Sequence, residues 1–244
     1  MSGERSKACI NALRQWLHTP RQPIGSARNL ALAAAALFLA LVLYLGYGEH
    51  QRRTLPGTVN ALVHDASMRL KDALQDEAND AGPFGAQRLD RHYAAVEQNL
   101  TRLRAMETSA IEELARAADD YLLTTREILR RRAADYRNRM QVNESVRALR
   151  AHMRSDNRTG IWITQAVQKK ERLEAEFRQY RLTSEALAGL LGQYAASRAR
   201  LAASVAPVQL THENVALQAR SRTLEAFGKL TDEVEKAGQL NAYR

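Results

Sequence analysis

The stretch LALAAAALFLALVLYLGY, residues 30–47, holds eighteen residues without a charge: seven leucines, six alanines, Phe38, Val42, two tyrosines and one glycine. As a helix it spans roughly 27 Å at about 1.5 Å per residue, close to the ~30 Å hydrocarbon core of a bilayer. Each leucine, phenylalanine and valine favours insertion by roughly 0.3–0.6 kcal/mol, and no Lys, Arg, Asp or Glu opposes them. Tyr44 and Tyr47 stand near one end, where amphipathic rings favour the headgroup region. A buried core helix normally keeps one polar face, and this stretch has none. A cleaved signal peptide needs a short basic front and a small-residue exit, a poor match to the long front and to Gly46-Tyr47-Gly48. The stretch reads as a single transmembrane helix.

The flanks set its direction. Before it stand Arg5, Lys7, Arg14, Arg21 and Arg28 against one acid, Glu4; the first turns after it carry Arg52 and Arg53. That bias places the N-terminus in the cytoplasm and the body outside it, as in a single-pass protein of a bacterial inner (plasma) membrane with a periplasmic domain. Within residues 6–19, Ile10, Leu13, Trp16 and Leu17 share one helical face before Pro20 and Pro23, so the basic tail 1–29 is either an interfacial helix or unstructured.

The chain's net charge of +9 leaves the body only mildly basic, which argues against nucleic acid as a partner. The one cysteine, Cys9, lies in the tail, so the body has no disulfide and no thiolate metal site. Twelve glycines and five prolines in 244 residues fit a helix-rich chain, and most of them mark breaks.

After a linker at 48–54, Thr54-Leu55-Pro56-Gly57 reads as a helix start. Val59, Leu62, Val63, Ala66, Leu70 and Leu74 form the stripe of a helix ending before Gly82-Pro83. A second helix, about 86–106, turns Leu89, Val96, Leu100 and Leu103 inward. The chain then turns near Thr108, because an unbroken return would run into the bilayer, and Ser109 with Glu112 fits a capping box. The third helix, about 110–154, carries an inward row including Tyr121, Ile128, Tyr136, Met140 and Leu149. The fourth, about 161–204, repeats every seven residues through Ala166, Leu173, Tyr180, Leu187, Tyr194 and Leu201, a coiled-coil or long-bundle signal. Its second row includes Ile163, Lys170 and Arg198. The fifth, about 212–238, offers Leu217, Leu224, Phe227, Leu230 and Val234, and 239–244 frays.

The predicted fold is all-α: an N-terminal transmembrane helix, then an elongated antiparallel helical bundle over 55–238 with a long helical hairpin. Folding the third helix against the fourth about 155–160 pairs Tyr121 with Tyr194, Tyr136 with Tyr180 and Met153 with Ile163. Lys170 and Arg198 then bend towards Glu144 and Asp119. A parallel homodimer through the fourth helix is the rival, and it sets Lys170 and Arg198 against their own copies.

Chemistry is sparse. The six histidines are scattered, no phosphate-cradling glycine loop exists, and the acid pairs are adjacent in sequence and so diverge on a helix. No catalytic residue, cofactor or metal is expected, and an enzyme is disfavoured. The feature that stands out is a run of arginines, Arg126, Arg130, Arg131, Arg132, Arg137 and Arg139, continuing to Arg158. It is either a docking surface for an acidic partner or a solvated face paired with Glu171, Glu174 and Glu176, and the second is the commoner outcome. The functional expectation is a membrane-tethered interaction or scaffold protein of the cell envelope, such as an accessory subunit of a larger membrane assembly. The alternative is an extracytoplasmic ligand-sensing bundle that relays through a partner protein.

Overall fold

The computed structural model describes residues 27–75, 84–155, 160–204 and 210–239. Side chains at 27–33, 43, 45, 47–53, 204 and 239 also lie outside the described set. The expected tail helix at 6–19, the Gly82-Pro83 break, the turn at 156–159 and the frayed end beyond 239 all fall outside it. The elements are α1 (Ala27–Gln75), α2 (Phe84–Arg104), a 3-10 turn (Ser109–Ile111), α3 (Glu112–Met153), α4 (Gly160–Ser204) and α5 (Glu213–Gln239). Among the described residues every regular element is helical.

The chain divides into two units, Met1–Gln51 and Arg52–Arg244. In the first, the described backbone is helical from Ala27, and Leu37, Phe38, Leu39, Leu41, Val42 and Tyr44 are all exposed. Among the described residues no helix is long and apolar enough to cross a membrane. Of the expected span, residues 30–33, 43, 45 and 47 have side chains outside that set.

The break expected before Pro56 does not occur. Residues 48–54 are helical and Pro56 lies inside α1. Proline removes one backbone hydrogen bond and strains a helix interior. Here a leucine- and alanine-rich stretch precedes it and a packed face follows it, so both sides favour continuation.

The second unit is an antiparallel bundle. Asn99 of α2 donates to the Leu62 carbonyl and to Asp65 of α1. Arg104 reaches Asp119 at one end of the α2–α3 pair and Asp90 meets Arg137 at the other. Tyr121 and Tyr194 join α3 to α4, and Phe177 stacks on Phe227 at 5.9 Å between α4 and α5. The α1 stripe is buried as expected, and so are Leu89, Val96, Leu100 and Leu103 of α2. All six members of the α4 heptad row are buried.

Two cores share this bundle. The larger draws on all five helices, from Val59 in α1 to Ala219 in α5. The smaller, Val142, Val146, Leu149, Leu173, Tyr180, Leu230 and Ala237, comes from α3, α4 and α5 alone. The changeover is where α2 begins. A Cβ on Gly85 would sit 3.0 Å from the Tyr136 ring, so glycine is what lets α2 close against α3 there. Among the described residues, the core beyond Tyr136 is built by α3, α4 and α5.

Several local expectations are corrected. Ser109 does not cap α3; it begins a 3-10 turn, and neither Thr108 nor Ile111 caps through its side chain. Met140 is half exposed and Val142 is buried in its place, because the α3 stripe has drifted by that point. Leu217 and Leu224 face outward, 45% and 47% exposed, while Ala216, Ala219 and Thr223 form the α5 seam. Ile163 is exposed; at that end Trp162 stacks on His152 instead, 5.0 Å between ring centroids. Lys170 meets Glu174 of its own helix, not Glu144, and Asp119 is taken by Arg104, not Arg198.

Candidate interaction surface

The arginine run is not one surface. α2 places Asp90, Glu97 and Arg104 seven residues apart, which sets them in one row along the helix. That row meets α3 as a ladder of ion pairs. Arg104 grips Asp119 through two nitrogens at 2.7 and 3.1 Å, Glu97 holds Arg126 at 3.1 Å, and Asp90 pairs with Arg137. Arg130 and Arg131 both turn to Glu127, at 2.8 and 2.9 Å. Arg139 lies over the Tyr136 ring, 5.8 Å from its centroid. Arg132 is only 3% exposed and is thereby withdrawn from any docking surface. It faces inward because α3 turns its 129, 132, 133 and 136 positions to the core.

The acids that answer these arginines come from α2, from α3 itself and from α5, where Glu233 meets Arg150 at 3.6 Å. Glu176 of α4 is occupied by Arg172 and by the Ser145 hydroxyl, and Glu174 by Lys170. Exposed pairs of this kind are worth roughly 0–1 kcal/mol each, so the ladder fixes register more than it adds stability. The signal available in the sequence was the seven-residue spacing of Asp90, Glu97 and Arg104.

Two of the polar clusters inside the bundle tie its helices together. In the first, the Tyr194 hydroxyl donates to the Thr211 carbonyl at 3.0 Å and shares a hydrogen bond with the Tyr121 hydroxyl, also at 3.0 Å. Thr211 in turn donates its backbone N–H to the Ser67 hydroxyl and its own hydroxyl to the Ser67 carbonyl. The segment leading into α5 is thus tied to α1, and His212 Nδ1 accepts the Asn214 N–H at the start of α5. In the second cluster, Ser184 donates to Asp135, with both side chains buried. A serine and a carboxylate in contact invite comparison with nucleophilic catalysis. Ser184 is 1% exposed, so its hydroxyl faces the core and serves to pair the buried Asp135.

Burial pushes the phenols of Tyr121, Tyr180 and Tyr194 above their usual value of 10; the Asp135 charge adds to this at Tyr180 and Tyr121 adds to it at Tyr194. A raised folded pKa contributes stability that is present below the unfolded value and is lost as pH rises past it. Stability is therefore expected to fall above about pH 10. In an alkaline titration followed at about 295 nm, these three of the eight tyrosines should ionise only as the circular dichroism signal is lost. Their ionisation with helicity intact would show that the hydroxyls reach water. At Asp65 burial likewise raises the carboxyl, but hydrogen bonds from Arg69 and Asn99 outweigh it and hold the group below its usual range.

Among the described residues no group of His, Cys, Asp and Glu could hold a metal ion. A groove of about 480 Å³ runs along one face of α4, lined by Trp162, Ile163, Ala166 and Val167 with Lys170, Glu171 and Glu174 at one end. No buried polar group converges on it. The chain matches no protein-family model, no curated protein and no solved structure.

Proposed function

We propose that the chain is a membrane-tethered helical scaffold of the cell envelope, serving as an accessory subunit of a larger membrane assembly. Leu30–Tyr47 anchors it in a bacterial inner membrane, the basic tail lies in the cytoplasm, and the bundle works outside the cytoplasm by binding a protein partner. The observation that carries this reading is the exposure of Leu37, Phe38, Leu39, Leu41 and Val42. Successive residues on a helix point about 100° apart, so these five span about 200° of it, and the exposed Ala36 and Ala40 fill the remaining side. A helix apolar all round needs an apolar surrounding, and the uncharged stretch to either side makes a bilayer the natural one. The bundle supports scaffolding over ligand sensing, because the Tyr121–Tyr194 and Ser184–Asp135 groups are paired within the core and the α4 groove is lined by one helix.

An export-dependent reporter enzyme fused after Arg244 tests the topology. It should be active, and the chain should stay with the membrane fraction through an alkaline wash. Activity only from a reporter that works in the cytoplasm, or release of the chain by the wash, would overturn the anchor and its direction.

A further inference from the structure

The side of α3 that packs under α1 and α2 is the row Ala118, Leu122, Leu129, Arg132 and Tyr136. At helical spacing the same row runs on to Met140, Asn143, Arg147 and Arg154. α2 begins at Phe84 beside Tyr136, so nothing described lies over that continuation. Met140 is 47% exposed, and Arg147 and Arg154 are both exposed without an ion pair among the described residues. The facing row of α4, through Leu190 and Leu187, runs on through Glu176 and Arg172, which pair with each other, to Lys169. Where the α1–α2 hairpin stops, the bundle therefore continues as a shelf with one apolar residue and an excess of cations.

Resting on the scaffold reading, we propose that this shelf receives an acidic α-helix of a partner protein, laid end-on to α2 and antiparallel to α3. Two features select that occupant. The shelf continues an interface already built for a helix, with Met140 as its apolar floor. Its charge is also complementary: Arg147 and Arg154 stand seven residues apart on it, both exposed and without an ion pair among the described residues. A helix with two carboxylates seven residues apart and an apolar residue between them can meet both arginines and Met140 together. Arginine favours such paired carboxylate contact.

The probe is a fluorescent alanine-based helical peptide of about 20 residues, with two glutamates seven apart, and a twin with glutamine in their place. With the full chain in mild detergent, the glutamate peptide should bind about tenfold more tightly than its twin at low salt and lose most of that preference above about 0.3 M salt. R147Q/R154Q should lose the preference, and M140E should weaken binding of both peptides, with helicity unchanged in each. Equal binding of the twins, or full binding by R147Q/R154Q, overturns the proposal. So does attachment of the bundle to anionic vesicles in place of the peptide, which would make the shelf a phosphate surface. Peptide binding that emerges only in D76N/E77Q/D80N also overturns it, assigning the shelf to the chain's own acids. Co-purification from gently solubilised membranes separates this from the scaffold reading. Partners kept by R147Q/R154Q sink the shelf alone; a wild-type chain that captures none sinks the scaffold reading, and the peptide result still decides the shelf.

Discussion

Replacing Asp135 by Ala is expected to destabilise the bundle by about 3–5 kcal/mol, far more than the loss of any exposed charge in the chain. Asp135 is 2% exposed, and Arg132, one turn earlier on α3, is 3% exposed. Residues three apart on a helix lie side by side, so each is an opposite charge within reach of the other. Removing the carboxylate takes a neighbouring counter-charge away from a guanidinium inside the bundle. It also strips the Ser184 hydroxyl of its acceptor, and an unpaired buried donor costs about 1–3 kcal/mol. Arg132→Met should be similarly damaging, because it strands the carboxylate instead. The double change D135L/R132M removes both charges together and should cost less than either single change. Urea unfolding of the full chain in mild detergent, followed by circular dichroism, measures all three. If the two single losses add in the double variant, the pair is not coupled and the burial of Arg132 has another cause.

That pair also shows what the sequence could and could not disclose. The α4 row was legible because six large or small apolar residues recur every seven positions, and a helix with such a seam can bury it in only one way. The α3–α4 hairpin followed from the same rows, and Tyr121 meets Tyr194 as the register requires. Arg132 was not legible: a lone arginine among nine others reads as surface, and its one cue was Asp135 three residues on. α5 misled for a different reason. Leu217 and Leu224 are the larger apolar residues, but the helix approaches its neighbours through Ala216, Ala219 and Ala237, where small side chains allow close packing. Pro56 and Ser109 carried local start signals that neighbouring helix-forming and packing preferences overrode. The open shelf needed the third dimension, since where α2 stops against α3 depends on Gly85 meeting Tyr136.

Leu129→Ala and Leu173→Ala are expected to have similar energies and different reach. Both side chains are fully buried, and a buried leucine truncated to alanine costs about 2–5 kcal/mol through lost transfer energy and the cavity left behind. Leu129 sits in the core that all five helices build, so its loss should weaken the whole bundle together. Leu173 is one of seven buried residues in a core made by three helices, and no other helix shares the load there. Its loss should open residues 137–153, 160–180 and 227–239 while α1 and α2 remain folded. Native-state hydrogen exchange resolves the two cases. In L173A the amides of that end should lose protection by roughly 30-fold or more, against little change at 59–74 and 89–103. Equal loss in both regions would show one cooperative unit and end the two-core description. The same experiment bears on the shelf, because Met140 and Arg147 lie on the end that opens first. A helix laid across them adds apolar cover where the core is thinnest, so bound peptide should raise protection at 137–153 before it raises protection anywhere else.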